Sequence, residues 1–283
     1  MRMNSDKLKN IKIVAFDLDG TVFKNDKTIS TRVRDALRAA AERGIELVPA
    51  TGRAFNGIPN ELKAMPGVNY LITSNGAAVY KADGSLVYER AVPCDTASEI
   101  ISEFDRNSVI AAAYLDGCGY MESRGFEKAI EMGLPRHAIE YFKTTRIMVD
   151  SLPEFVMECN KPVRVITLAF RPEDKAAQEN IIEIVKRYDV GCVYGGDMNI
   201  DINHRKSGKG YALLEIAKLL GIDPEDTAAI GDSENDSDML KKAGIGIAMA
   251  NADNAAKAAA DMITLSNEED GAAVVLDMIN RSE

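Results

Sequence analysis

The sequence is short of the residues from which several kinds of functional site are built. It contains four cysteines and two histidines among 283 residues, and no tryptophan. No two cysteines form a Cys-x-x-Cys pair, so the sequence predicts neither a structural zinc site nor a disulfide framework. No apolar run approaches the roughly 20 residues that span a bilayer, and the first ten residues are polar and are not followed by the apolar h-region of a signal peptide. We therefore expect a cytoplasmic protein.

The chain also has fewer positively than negatively charged residues. The chain has 34 lysines and arginines against 44 aspartates and glutamates, which gives a formal net charge of -10 at pH 7. Phosphate backbones and anionic membrane surfaces repel such a chain, so we expect neither nucleic acid nor membrane among its partners. A small anionic substrate would need positive charge supplied locally, by a divalent cation or by a particular lysine or arginine.

The order of helical and strand patterns predicts two domains. Hydrophobic residues make up 46% of the chain and charged residues 28%, which is typical of globular proteins. Short apolar strands alternate with helical patterns at both ends of the sequence, but not in the middle. We predict an α/β fold: a doubly wound, parallel, Rossmann-like sheet core formed by residues 1–90 and 191–283, with an α+β cap domain inserted at 91–190.

Two aspartates follow the first predicted strand directly. Residues 11–16 form a nearly continuous apolar stretch, typical of a central parallel strand, and the run DLDGTV follows at 17–22. Ligands of open α/β sheets bind beyond the carboxyl ends of the strands, and Gly20 lets the chain turn there. A calcium loop is excluded, because its obligatory Gly would fall on Val22 and its obligatory Glu on Thr28. A plain acidic turn remains an alternative at this point.

A second acidic run, GDSEND at 231–236, follows another apolar strand. Taken alone it has a structural explanation, because Ser233 can cap a helix whose dipole Asp236 complements. Lys209 precedes a helical pattern over 210–220. Taken alone, it indicates only an exposed basic turn. It does not belong to a phosphate-binding P-loop, because Gly210 follows it where Ser or Thr is required.

Together four stretches, 17–22, Thr51, Lys209 and 232–236, resemble the haloacid-dehalogenase-like superfamily of phosphohydrolases. Their order is that of the superfamily's four motifs: a nucleophile loop, a hydroxyl residue, a lysine and an acidic loop. The insertion between the hydroxyl residue and the lysine is similar to the Cof-type branch with an α/β cap. Further signatures of that branch are matched by Ser74-Asn75-Gly76 and by Met249-Ala250-Asn251-Ala252, in which Ala250 stands where Gly is usual.

The resemblance implies a magnesium-dependent phosphatase that acts through an aspartyl-phosphate. Asp17 would attack phosphorus, and Asp19 would protonate the leaving oxygen and then serve as base for water. Mg²⁺ would be held by Asp17, the Asp19 carbonyl and Asp232. The other implied site residues are Thr51, Gly52, Lys209 and Asn235 for the phosphoryl group, with Asp236 and Arg53 in support.

The expected substrate is a small phosphorylated metabolite such as a sugar phosphate, with its choice made by the cap. The four motifs fit equally well a phosphomutase or phosphotransferase of the same superfamily, in which a second hydroxyl accepts the phosphoryl group. A non-catalytic phosphate-binding or signalling protein is a third alternative. A signalling receiver would need only about 120 residues and no inserted domain, and the presence of both Asp17 and Asp19 argues against a silent binding protein.

Overall fold

The computed structural model describes residues 8–171, 173–194 and 199–281. Its strands, in chain order, are β1 Ile13–Phe16, β2 Glu46–Pro49, β3 Tyr70–Thr73, β4 Ala78–Lys81, β5 Leu86–Glu89, β6 Ile110–Leu115, β7 Cys118–Glu122, β8 Arg146–Val149, β9 Val165–Ala169, β10 Val190–Tyr194, β11 Asn199–His204, β12 Thr227–Gly231, β13 Ile245–Ala248 and β14 Met262–Ile263. The first seven residues, where the sequence predicts no leader, lie outside the described residues.

The α-helices are α1 Thr31–Glu42, α2 Asn60–Lys63, α3 Cys94–Glu103, α4 Ser123–Glu131, α5 Arg136–Thr145, α6 Leu152–Cys159, α7 Lys175–Val185, α8 Lys209–Leu220, α9 Ser237–Lys242, α10 Asn254–Ala259 and α11 Gly271–Arg281. Short 3-10 turns lie at Phe55–Gly57, Ser74–Gly76, Pro224–Asp226 and Glu234–Asp236. None of the described helices combines the length and apolarity that a membrane span requires.

The chain divides into two compact units. The core unit comprises the residues up to Gly52, then Ile58–Tyr88, then the residues from Gly208 onward. The inserted unit comprises Arg53–Gly57 and Glu89–Ser207.

The core unit is built on a parallel sheet with strand order β14-β13-β12-β1-β2. All four residues of β1 are buried, which is expected of a parallel strand covered on both faces. The chain passes from β1 to β2 on one side and later fills the other side with β12, β13 and β14, so the strand order reverses between β1 and β12. Ligands of doubly wound sheets bind at this reversal, beyond the carboxyl ends of the strands. The predicted core fold is confirmed.

A second small sheet and the flanking helices complete the core unit. A parallel bridge between Ala50 and Ile72 leads from the end of β2 to β3, which continues into β4 and β5 in a three-stranded sheet. Helix α1 begins after Ser30, whose hydroxyl oxygen accepts a hydrogen bond from the backbone N–H of Val33 at 3.1 Å. Its apolar face packs against α11. Helix α1 also packs against β2 and so helps to cover the sheet.

The inserted unit contains a six-stranded sheet of order β10-β11-β9-β6-β7-β8. The strands are antiparallel except for the parallel pair β7 and β8. Ala113, Ile166 and Ile202 point to one face, where they form an apolar core with α3, α6 and α7. Ile110 and Ala112 point to the other face, against α4 and α5. This arrangement confirms the predicted α+β class of the insertion.

The inserted unit extends further than residues 91–190, the range predicted from the sequence. Strand β10 pairs with β11, and β11 pairs with β9, so this unit continues to Ser207. The alternation of polar and apolar residues in Asn199–His204 is typical of a half-exposed antiparallel strand and differs from the continuous apolar runs of the core sheet. The first boundary, predicted after residue 90, lies after Tyr88.

Candidate active site

The ammonium group of Lys209 joins acidic residues from opposite ends of the sequence. Lys209 is the first residue of α8 and is 0% exposed. Its Nζ donates to Asp17 Oδ1 and to Asp236 Oδ1, both at 2.6 Å, and lies 3.5 Å from Asn235 Oδ1. Asp17 directly follows β1, and Asp236 lies in the loop after β12. The predicted nucleophile, lysine and acidic loop therefore meet where the strand order reverses.

Two glycines allow α8 to begin in contact with α9, the helix that follows the acidic loop. A Cβ atom at Gly208 would lie 2.5 Å from Asp238 Oδ2, and one at Gly210 would lie 2.7 Å from the Asp238 carbonyl carbon. The backbone N–H of Gly210 donates to Asp238 Oδ2 at 3.0 Å. The Gly-Lys-Gly sequence thus fixes the point from which the Lys209 side chain enters the core. Asp238 was not predicted, because only the packing of α8 against α9 reveals its role.

Asp232 approaches the Asp17 loop closely. Thr21 Oγ1 donates to Asp232 Oδ1 at 2.7 Å. A Cβ atom at Gly20 would lie 2.8 Å from Asp232 Cγ, and the φ angle of Gly20 is +88°. Glycine is required here because it tolerates both the left-handed backbone and the close approach. Asn251, which follows β13, donates through Nδ2 to the Gly20 carbonyl at 2.9 Å and so supports the same turn.

The carboxylate of Asp236 organises its own loop. Its Oδ2 accepts hydrogen bonds from the backbone N–H groups of Asp232 at 2.9 Å and Ser233 at 3.1 Å. Gly231 leaves room for it, since a Cβ atom there would lie 2.5 Å from Asp236 Cβ. The capping role that the sequence suggested for this loop is present, and the same residue also holds Lys209.

Three carboxylates and one ammonium group perturb one another in this buried site. Burial raises the pKa of Asp17 well above its ordinary value; Lys209 opposes the rise, and Asp236 and Asp232 add to it. Burial and the charge of Asp236 raise the pKa of Asp232 to about 7, against the hydrogen bond from Thr21. Burial disfavours a charged Lys209, but Asp17 and Asp236 outweigh it and hold its pKa above the usual value. Three ionised carboxylates would exceed the positive charge of one lysine, so this buried site favours a proton or a cation at Asp17 and Asp232.

The acidic cluster has the composition of a site for a hard divalent cation. Asp17, Asp232 and Asp236 each offer a carboxylate oxygen, and these oxygens lie within 4.8 Å of one another. Oxygen ligands suit Mg²⁺, and a cation would offset the burial and the mutual repulsion that raise the pKa of Asp17 and Asp232. Because both oxygens of Asp236 already accept hydrogen bonds, Asp17 and Asp232 are the carboxylates best able to bind a metal.

Asp19 is not a member of this carboxylate cluster. Its side chain is 36% exposed, and its Oδ1 accepts a hydrogen bond from Lys27 Nζ at 2.8 Å. Lys27 has a φ angle of +66°, and its backbone N–H donates to the Lys24 carbonyl at 2.9 Å. The family resemblance implies that the backbone carbonyl of Asp19 binds the metal and that its carboxylate transfers protons. Neither role is tested by this geometry.

Thr51 and Gly52, after β2, contact a left-handed turn at Asn75. The carbonyl of the buried Thr51 accepts from the backbone N–H of Asn75 at 3.1 Å. A Cβ atom at Gly52 would lie 2.9 Å from Asn75 Oδ1. Asn235 Nδ2 donates to that same oxygen at 3.0 Å. The structure thus connects Thr51 and Gly52 with Asn235 through Asn75, which the sequence showed only as part of a family signature.

Arg53, predicted as a supporting residue, belongs to the inserted unit. Its guanidinium group lies over the ring of Tyr141, 5.4 Å from the ring centre, and its Nη1 donates to the Gly57 carbonyl at 3.3 Å. These contacts give Arg53 a packing role within its own unit. The sequence did not predict it, because Tyr141 is remote along the chain.

Similarity to known proteins covers all of these site residues. A sequence model of the haloacid dehalogenase-like hydrolase family matches residues 14–276. Phosphatase YwpJ of Bacillus subtilis is 30% identical over 281 residues, which cover 93% of this chain and 98% of the relative. The 5-amino-6-(5-phospho-D-ribitylamino)uracil phosphatase YcsE of the same bacterium is 27% identical over 267 residues, 93% of this chain and 94% of the relative. A haloacid dehalogenase-like hydrolase structure from B. subtilis has a TM-score of 0.81 at 27% identity, covering 94% of this chain and 99% of the other.

Proposed function

Because this chain belongs to the haloacid dehalogenase-like hydrolase family, we propose that it is a magnesium-dependent phosphatase that hydrolyses small phosphomonoesters through an aspartyl-phosphate. The observation that carries the proposal is the buried contact of Asp17 with Lys209 at 2.6 Å, beside Asp232, beyond the ends of β1 and β12. This arrangement combines a nucleophile, a fixed positive charge and oxygen ligands for a metal.

Asp17 is the proposed nucleophile. It is 5% exposed and directly follows a buried strand, and Lys209 holds one of its oxygens. In the first step an Asp17 oxygen bonds to phosphorus, the ester P–O bond breaks with its electron pair, and the leaving oxygen takes a proton from Asp19. In the second step a water oxygen attacks phosphorus while Asp19 takes a proton from it. The bond from phosphorus to Asp17 then breaks and inorganic phosphate leaves.

Positive charge for the phosphate dianion comes first from Lys209, which its two buried carboxylate partners keep charged. Asn235 lies 3.5 Å from the lysine Nζ, and the buried Thr51 is connected to Asn235 through Asn75. We assign Thr51, Gly52, Lys209 and Asn235 to the phosphoryl group. Asp17, Asp232 and the Asp19 carbonyl would hold Mg²⁺, which when bound neutralises charge on the phosphoryl oxygens.

The substrate class is proposed as sugar phosphates and similar small phosphorylated metabolites. One relative is named as a phosphatase of a phosphorylated ribityl compound, which is a phosphomonoester of a sugar alcohol. We assign the choice among such substrates to the inserted unit, because it enters the chain between the segments that carry Thr51 and Lys209.

A phosphate-release screen over a panel of small phosphomonoesters tests this proposal. Wild-type protein with Mg²⁺ should release inorganic phosphate from at least one sugar phosphate, and Asp17→Asn should release none. Transfer of the phosphoryl group to a second sugar, without free phosphate, would identify a mutase or phosphotransferase instead. Failure of the wild-type protein to act on any member of the panel would contradict the assignment to this substrate class.

A further inference from the structure

Three consecutive residues between β3 and β4 adopt left-handed backbone conformations. Their φ angles are +52° at Ser74, +55° at Asn75 and +84° at Gly76. Residues with a Cβ atom avoid this region, and single left-handed residues are far more usual than a run of three. Ser74 and Asn75 are nevertheless buried, at 1% and 5% exposure. A strained turn inside the core persists only when its surroundings determine it, and such turns cluster at functional sites.

The centre of this turn contacts two of the loops assigned to the phosphoryl group. The backbone N–H of Asn75 donates to the Thr51 carbonyl at 3.1 Å, which fixes the end of β2. Its side-chain Oδ1 accepts from Asn235 Nδ2 at 3.0 Å, which fixes the acidic loop. Gly52 lacks a Cβ where one would lie 2.9 Å from this same oxygen. Asn75 therefore contacts Asn235 through its side chain and Thr51 through its backbone.

The last residue of the turn contacts the third of these segments. A Cβ atom at Gly76 would overlap the carbonyl group of Gly208, the residue that precedes Lys209. The backbones of the turn and of the start of α8 therefore pack directly together, without side chains between them. The position of Gly76 thus sets the position from which Lys209 extends.

We propose that the turn Ser74–Gly76 is a positioning element for phosphoryl transfer. Asn75 fixes Thr51 relative to Asn235, and Gly76 fixes the start of the helix that carries Lys209. This inference rests on the proposed phosphatase function and deepens it. Groups that hold a transferring phosphoryl group act through geometry, and a displacement of about 1 Å can cost two orders of magnitude in rate. A rigid turn packed against all three segments supplies that geometry without touching the substrate.

Two substitutions separate the backbone role of Asn75 from its amide. Asn75→Gly keeps the left-handed backbone and removes the hydrogen bond to Asn235, whereas Asn75→Ala removes the bond and also strains the backbone. The matched control is Asn160→Gly, because Asn160 also has a left-handed φ of +48° but ends α6 in the inserted unit. All variants are compared by thermal unfolding, by hydrolysis of p-nitrophenyl phosphate and by calorimetric affinity for inorganic phosphate with Mg²⁺.

For Asn75→Gly we expect only a small change in the midpoint of thermal unfolding, because relief of the left-handed strain offsets part of the cost of the lost hydrogen bond. Its kcat/KM should nonetheless fall roughly 10- to 100-fold, and its affinity for inorganic phosphate about tenfold. Asn75→Ala should lose both stability and activity, and Asn160→Gly should match the wild type in catalysis. Activity and phosphate affinity of Asn75→Gly within about twofold of wild type would show that the turn serves folding alone, and would overturn the proposal.

A double-mutant cycle keeps the test decisive if Asn75→Gly also loses stability. Asn75→Gly should cost much less activity in an Asn235→Ala background than in the wild type, because the bond it removes is already gone. Losses that multiply independently would overturn the coupling between Asn75 and Asn235. If wild-type protein neither hydrolyses any phosphoester nor binds inorganic phosphate, the proposed function itself fails, and the positioning role fails with it.

Discussion

Replacing Asp236 by asparagine tests whether the lysine–carboxylate cluster also stabilises the core unit. Asp236 is 0% exposed and accepts three hydrogen bonds, from Lys209 Nζ at 2.6 Å and from two backbone N–H groups at 2.9 and 3.1 Å. An asparagine oxygen can still accept from the backbone groups, but its NH₂ group then faces the ammonium of Lys209. The substitution therefore removes a buried ion pair and places two hydrogen-bond donors, the asparagine NH₂ group and the Lys209 ammonium group, opposite each other.

Removing one partner of a buried ion pair typically costs about 3–5 kcal/mol. Lys209 keeps Asp17 as a partner, and the loss of one negative charge relieves repulsion within the cluster, so we expect a cost near the lower end, about 3 kcal/mol. That cost corresponds to a fall of roughly 6–12 °C in the midpoint of thermal unfolding for a chain of this size.

The measurement is urea and thermal unfolding followed by circular dichroism, in chelator and with Mg²⁺. The matched control is Asp226→Asn, which breaks an ion pair of similar length, Lys12 Nζ to Asp226 Oδ2 at 2.7 Å, whose side chains are 59% and 21% exposed. Exposed pairs contribute about 0.2–1 kcal/mol, so this control should unfold close to the wild type. Equal effects of the two substitutions would show that the buried cluster contributes no more stability than a surface pair.

Further expected outcomes concern catalysis and the metal. Asp17→Asn should stay folded and lose several orders of magnitude in turnover, and substantial residual turnover without deamidation would exclude Asp17 as nucleophile. Asp19→Asn should slow phosphoenzyme formation from sugar phosphates far more than from p-nitrophenyl phosphate, whose leaving group needs no proton; equal slowing in single-turnover experiments would remove Asp19 as the acid. Chelation should abolish activity, with recovery in Mg²⁺ but poor recovery in Ca²⁺, and full turnover in chelator would contradict metal dependence. In chelator, Asp232 has a pKa of about 7 in the folded protein and about 3.9 in an unfolded chain. Between these two pH values only the folded state holds the proton. The free energy of unfolding should therefore fall as the pH rises through that window, and a rising profile would refute the shift.

The parts of the site that the sequence predicted are those placed by strand ends. A buried apolar run followed by polar residues marks the carboxyl end of a parallel strand, and this pattern located Asp17, Thr51 and Asp232. Lys209 taken alone indicated only an exposed basic turn, and the order of the four family motifs was needed to assign it to the site. Local sequence and the topology of the sheet place the strand-end residues, and the family resemblance adds the lysine.

The parts that the sequence did not predict depend on close approach between distant segments. The bonds from Thr21 to Asp232 and from Asn235 to Asn75 join residues more than 150 positions apart, so no local pattern reveals them. Asp236 was predicted as a supporting residue, but its three hydrogen bonds required the folded loop. Ala250, which stands where Gly is usual, is tolerated because its backbone is not left-handed.

The inserted unit was the least predictable part, because its sheet is mainly antiparallel. Strands such as β11 show only a short alternation of polar and apolar residues, and their polar residues are of types that are also common in loops. The five residues 53–57 gave no sign of belonging to it, since their partners lie far along the chain.

Because of this division of the chain, the inserted unit is formed by two separate segments of the sequence. Ala54 packs with Tyr114 and Val165, and the backbone N–H of Asn56 donates to the Gly117 carbonyl at 3.1 Å. A chimera that received only residues 89–207 from a relative would retain a loop shaped for the original partner. We therefore expect grafts to succeed when residues 53–57 travel with the larger segment, and substitutions in the two pieces to change together as such enzymes diverge.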